Sequence, residues 1–140
     1  MGKYIIIVLI ISATLGLVGC GNKNSSNNQG EVMGERNEYI QIGMDEAIEM
    51  MEEETDYIVL DVRTPEEYAQ SHIPNAINIP NEVIGTDEIS ELPDKDQLIM
   101  VYCRSGNRSK QASEKLVALG YTNIVEFGGI NDWPGETVSE

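Results

Sequence analysis

Gln97-Leu98-Ile99-Met100-Val101-Tyr102-Cys103-Arg104-Ser105-Gly106-Asn107-Arg108-Ser109 decides how this chain reads. Its first half is nearly all apolar and short, the pattern of a strand buried on both faces of a parallel sheet. The strand delivers a thiol, Cys103, into a tight loop that opens a helix. That helix carries Ser109, Ala112, Leu116 and Leu119 on one face, and Gly120 stops it as a left-handed C-terminal residue. Ligands of open α/β sheets bind outside the carboxyl ends of the strands. There, successive N–H groups of the loop can turn inward, and the helix start adds partial positive charge. Gly106 lets the backbone curl, and Arg104 and Arg108 add positive potential. Such surroundings favour thiolate, so Cys103 reads as a nucleophile of lowered pKa rather than an inert buried thiol. A thiolate is already reactive, so the site needs no histidine beside it.

Outward from this core, short apolar runs alternate with helical patterns. Tyr39 to Ile42 predicts a strand, and Gly43 then starts a helix with Met44, Ala47, Ile48 and Met51 on one side. The acidic run Glu52-Glu53-Glu54 ends it and reads as a solvated face rather than a cation site. Tyr57 to Val62 is a second buried strand. Thr64-Pro65-Glu66-Glu67 follows as a capping box with proline at the first helical position, predicting a short helix to about Ser71. Ala76 to Pro80 predicts an edge strand, since its proline cannot donate to a ladder. Asn123 to Phe127 is the last strand, followed by a Gly128-Gly129 turn and a short helical turn through Trp133. Alternating strands and helices predict an α/β domain with a parallel sheet over residues 39–140.

The remaining residues read differently. After Met1-Gly2-Lys3 the chain is apolar from Tyr4 to Ile11 and ends in small residues before Cys20, a secretory-signal pattern. The apolar stretch is about 15 residues, short of the roughly 20 a spanning helix needs. Leu17-Val18-Gly19-Cys20 resembles the lipobox of bacterial lipoproteins. That resemblance implies a signal peptide over residues 1–19, cleavage before Cys20 and lipidation of its thiol. Two acyl chains anchor stably where one is marginal. Residues 20–38 then form a Gly-, Asn- and Ser-rich tether that spaces the domain from the membrane. The expected location is extracytoplasmic, on the bacterial membrane.

Charge and composition narrow the chemistry. Among 140 residues, acids outnumber bases 24 to 9, a net charge of −15. That balance excludes nucleic acid as a partner, because its binding depends on cations neutralising phosphates. Two cysteines and one histidine are too few for a disulfide framework or a Cys- or His-rich metal site, so neither metal nor cofactor is expected. With Cys20 committed to lipid, one thiol remains, which disfavours dithiol redox chemistry.

Five segments in order carry a resemblance to a known family: Asp61-Val62-Arg63, Glu67-Tyr68, His72-Ile73-Pro74-Asn75-Ala76, Cys103 to Ser109, and Gly128-Gly129-Ile130-Asn131-Asp132-Trp133. Together they resemble the rhodanese (thiosulfate sulfurtransferase) domain. The resemblance implies a single α/β domain, a five-stranded parallel sheet flanked by helices on both faces. It implies a sulfur carrier at Cys103, loaded as a persulfide by thiosulfate or another sulfane-sulfur donor and emptied by cyanide or a thiol. Residues Arg104, Ser105, Gly106, Asn107, Arg108 and Ser109 would form the anion-binding loop, with Arg104 and Arg108 orienting the donor. A protein acceptor stays open, as does a carrier role without turnover. Related cysteine phosphatases have five residues between Cys and Arg; here four separate Cys103 from Arg108, which favours sulfur over phosphate. An arsenate-reducing role would lack a second mature cysteine to resolve its intermediate.

Four further residues support this site. Asp61 and Arg63 leave a strand end beside the expected pocket and read as a structural ion pair or hydrogen-bonded group. Arg63 is expected to pair with Glu67. His72 is expected to order backbone rather than act as a general base.

Overall fold

The structure, a computed structural model, describes residues 38–140. The lipobox, the Cys20 lipidation site and all but the last residue of the tether lie outside the described residues. Five strands, β1 (Ile40–Gln41), β2 (Tyr57–Asp61), β3 (Ile77–Asn78), β4 (Leu98–Cys103) and β5 (Ile124–Gly129), form one sheet. Every strand pairing is parallel, in the order β1-β5-β4-β2-β3. Cys103 therefore leaves the central strand. Helices α1 (Met44–Glu53), α2 (Pro65–Gln70) and α3 (Asn107–Ala118) complete the α/β domain, with a 3-10 turn at Ile130–Asp132.

Successive residues of β4 supply opposite faces, as strand periodicity requires. Ile99, Val101 and Cys103 join Leu60, Ile124, Ala112, Leu116 and Tyr121 in one core, under α3. Met100 and Tyr102 join Val59, Val125, Phe127 and Ala47 in the other, under α1. Burial on both faces explains why β4 reads as a continuous apolar run rather than an alternating one. β3 is a two-residue edge strand, as the proline after it requires.

The capping box of α2 is complete. Glu67 N donates to Thr64 Oγ1 at 3.3 Å and Thr64 N donates to Glu67 Oε2 at 3.1 Å. α3 ends before Gly120, whose φ is +92°. Several boundaries differ from the sequence reading, and β3 keeps only Ile77–Asn78 of the expected Ala76 to Pro80. β1 has only two residues, because the chain departs at Gly43 to start α1. β5 continues through both glycines, because Gly129 pairs opposite Cys103 across a bulge between Val101 and Cys103.

Candidate active site

Cys103 is 1% exposed, at the floor of a loop shaped by Gly106. Gly106 adopts φ +106°, a left-handed conformation that glycine takes without Cβ strain. This turn aims the Gly106 N–H at the sulfur, at 3.0 Å. The Ser109 hydroxyl lies 3.4 Å from Sγ on the first turn of α3. Burial pushes the thiol pKa up. The Ser109 hydroxyl and the N–H groups of Ser109, Gly106 and Ser105 pull it down, and the balance falls below the ordinary cysteine value. The cradle is thus built of amides and one hydroxyl, and the Arg108 charge acts on the same thiol.

The turn after β5 fixes the far wall. Asn131 N donates to the Arg104 carbonyl at 3.3 Å. A Cβ on Gly129 would stand 2.1 Å from that oxygen and 2.5 Å from Ser105 N. Only glycine lets the two backbones approach this closely.

The two arginines of the loop have different surroundings. Arg104 is exposed and makes no ion pair among the described residues. Arg108 meets Glu67 as a fork, Nη1 to Oε2 at 2.6 Å and Nη2 to Oε1 at 2.9 Å. The hydrogen bonds from Arg108 outweigh burial and, with the Thr64 amide, pull the Glu67 carboxyl down to about 2. Ser105 and Asn107 are exposed, while Gly106 and Ser109 are buried.

The expected Arg63–Glu67 pair is corrected here. Arg63 pairs with Asp61, Nη2 to Oδ2 at 2.6 Å, and the same nitrogen donates to the Ser71 carbonyl at 2.6 Å. Arg63 precedes the helix cap, so helical spacing does not bring it alongside Glu67. The capping box turns Glu67 toward Arg108 instead. Tyr102 completes the buried group: its hydroxyl donates to Asp61 Oδ2 at 2.6 Å and accepts from Ile73 N at 3.1 Å. Burial and the adjacent Asp61 carboxylate hold the Tyr102 phenol far above its usual value. This network lies on the α1 face of the sheet, opposite the face Cys103 occupies. It ties β2, β4 and the segment after α2 together beneath the site.

His72 is also part of the frame. Its ring stacks on Tyr68 with centroids 3.8 Å apart, and Nδ1 donates to the Tyr68 carbonyl at 2.9 Å. Its backbone exchanges hydrogen bonds with Val138 at 2.8 and 3.0 Å. Both contacts order the chain.

Sequence reasoning missed Glu126. This carboxylate is 2% exposed on β5 and accepts from Ser109 Oγ at 2.6 Å and from Gly128 N at 2.9 Å. The signal was available: alternation from Ile124 places residue 126 on the α3 face of a central strand, where a charge is unusual.

Residues 43–136 match the model of the rhodanese-like domain family. The chain is 42% identical over 73 residues to the thiosulfate sulfurtransferase PspE of Escherichia coli, covering 52% of this chain and 70% of that one. It is 43% identical over 79 residues to a sulfurtransferase of Allochromatium vinosum, covering 56% and 72%. Among solved structures it resembles a rhodanese with anions from E. coli, with TM-score 0.55 and 38% identity over 60% of this chain and 99% of that one.

Proposed function

Because this chain belongs to the rhodanese-like domain family, we propose that it is a sulfurtransferase whose Cys103 carries sulfur as a persulfide. The observation that carries the proposal is the cradle. A low-pKa thiol at the end of the central strand receives the Gly106 N–H at 3.0 Å. Neighbouring amides of Ser105 and Ser109 contribute in the same sense.

The Cys103 thiolate attacks the outer sulfur of thiosulfate, and that S–S bond breaks with its electron pair leaving on sulfite. Charge is conserved, and the new terminal sulfur is anionic. Amide donors suited to a thiolate suit a persulfide anion equally. A thiophilic acceptor such as cyanide then takes the outer sulfur, and the thiolate returns. Two half-reactions through a covalent intermediate give ping-pong kinetics. Arg104, the exposed cation of the loop, steers the anionic donor; Arg108 braces α3 against α2 through Glu67. The lipobox sequence supports anchoring this chemistry to the outer side of a bacterial membrane through Cys20.

The test is to incubate the protein with thiosulfate, record its intact mass, then add cyanide and measure thiocyanate. A gain of one sulfur, absent in Cys103→Ser, followed by rapid thiocyanate release is the expected result. Loading without release would make the protein a carrier, and absence of loading would overturn the proposal.

A further inference from the structure

Glu126 is a buried carboxylate that the sulfur-transfer steps do not use. Among the described residues no Lys or Arg bonds it; its carboxylate accepts from the Ser109 hydroxyl and the Gly128 main-chain N–H. Carboxylates this buried are ordinarily paired with a cation. Here the carboxylate connects, through one hydroxyl, to the thiol: Cys103 Sγ to Ser109 Oγ at 3.4 Å, and Ser109 Oγ to Glu126 Oε1 at 2.6 Å.

The decisive point is that Ser109 owns one proton. Its oxygen also lies 2.9 Å from the Gly106 carbonyl and 3.3 Å from that of Gly128, but the shortest contact is to Glu126. While Ser109 donates to Glu126 it offers Cys103 a lone pair, and it lowers the thiol only when its proton turns to sulfur. That arrangement suits a thiol. A thiolate needs the reverse, with the Ser109 proton turned toward sulfur and a donor on Glu126 replacing it.

We propose that Glu126 is a positioning residue that takes up the Cys103 proton through Ser109. The S–H bond breaks and its proton passes to Ser109 Oγ, while the original Ser109 O–H bond breaks and its proton passes to Glu126 Oε1. Sulfur keeps the electron pair, and the negative charge moves from carboxylate to sulfur. No net charge enters the buried site and no oxidant is required.

Other charges around this chain of contacts are few. Tyr39, ahead of β1, and Glu114, on α3, share the field of Glu126: burial and then those two carboxylates hold the Tyr39 phenol up. Arg108 is held up by hydrogen bonds and charge from Glu67, and by the charges of Cys103 and Glu82. Arg104 and Lys110 are exposed and bond neither Ser109 nor Glu126 through their side chains.

The inference rests on Cys103 as the nucleophile of the proposed reaction, and alkylation tests it without any sulfur donor. Failure of the relay is therefore distinct from failure of sulfur transfer. The pH dependence of iodoacetamide alkylation is followed at Cys103 by peptide mapping, so that Cys20 does not contribute. Wild type is expected to show two limbs, the lower of which requires Glu126 to hold the proton that leaves sulfur. Glu126→Gln, which can accept but cannot take a proton, should lose the acidic limb. Its rate near pH 6 should fall about tenfold, one pKa unit's worth, while the limiting rate at high pH is kept. Ser109→Ala should lose the same limb. A retained limb in Glu126→Gln, or a whole curve moved to lower pH as loss of a bare like charge would give, overturns the proposal. A second measurement needs no variant. In wild type the infrared signature of a protonated carboxyl should diminish when Cys103 is alkylated, and an unchanged signature counts against the relay.

Discussion

Adding one methyl group at Gly129 should disable the site without unfolding the domain. The backbone there is extended, φ −142° and ψ 155°, which any residue adopts, so Gly129→Ala carries no conformational strain. The penalty is contact alone. The new Cβ would lie 2.1 Å from the Arg104 carbonyl oxygen, 2.3 Å from its carbon and 2.5 Å from Ser105 N. All three are main-chain atoms, so no side chain can rotate away. Restoring an ordinary 3.4 Å separation from that oxygen requires the strands or loop to part by about 1.3 Å. The atoms displaced belong to the same loop whose Ser105, Gly106 and Ser109 amides hold the sulfur. A misplacement near 1 Å costs on the order of a hundredfold in rate. Overpacking of this kind costs about 1–3 kcal/mol of stability. Thiocyanate formation measures the first and urea unfolding the second. Gly120→Ala is the matched control: at φ +92° with no atom within 4 Å, it carries about 1–2 kcal/mol of backbone strain but is remote from the loop. It should lose stability and keep its rate. If Gly129→Ala turns over within threefold of wild type, the claim that this close approach sets the cradle is refuted.

Three other perturbations separate the frame from the site. The Glu67–Arg108 fork should give stability that is complete above the unfolded carboxyl value of 4.5 and is lost as pH falls toward about 2. Both side chains are over a quarter exposed, so the loss should be under about 1 kcal/mol; Glu67→Gln should remove this dependence from urea midpoints measured between those pH values. Arg63→Met should lower stability by about 3–5 kcal/mol, read by calorimetry, because Asp61 is left buried without its cation. Cys20→Ala should release the protein from membranes into the soluble fraction, and persistent membrane retention would exclude lipidation as the anchor.

How much of this was legible in the sequence depended on the range of the interaction concerned. The capping box of Thr64 and Glu67 is local chemistry with a three-residue signature, and both of its hydrogen bonds form. The left-handed Gly120 follows from its position after a helical face, and β4 from an apolar run that only a doubly covered strand can bury. Contacts across strands were not legible. Tyr102 reaches Asp61 over 41 residues of chain, and nothing in either neighbourhood announces the other. The expected Arg63–Glu67 pair failed because proximity in sequence was taken for proximity on a helix that begins only after Thr64. Gly128-Gly129 reads as a turn in the sequence, yet β5 runs through both, because the bulge in β4–β5 pairing brings Gly129 against the Arg104 carbonyl.

That dependence on backbone also bears on how so acidic a chain would handle the anionic donor of the proposed reaction. Arg108, the cation at the helix start, is engaged by Glu67 and lies in the field of Glu82. Glu126 stands behind Ser109, so carboxylates bracket the loop. The Arg108 and Cys103 charges attract each other, but the thiol is lowered first by the Ser109 hydroxyl and the loop amides. A peptide N–H presents partial positive charge at hydrogen-bond range yet adds no net charge to attract counter-ions. Stabilisation of this kind is short-ranged and fixed by the fold, and is little affected by salt, which screens charges over about 10 Å at 0.1 M. Encounter with a thiosulfate-like donor is different, because it occurs through the long-range field of a chain carrying −15. Raising ionic strength should accordingly speed the loading of Cys103 while leaving the pH dependence of its alkylation by neutral iodoacetamide in place. Loading that slows with salt would mean that Arg104, not the net charge, governs approach.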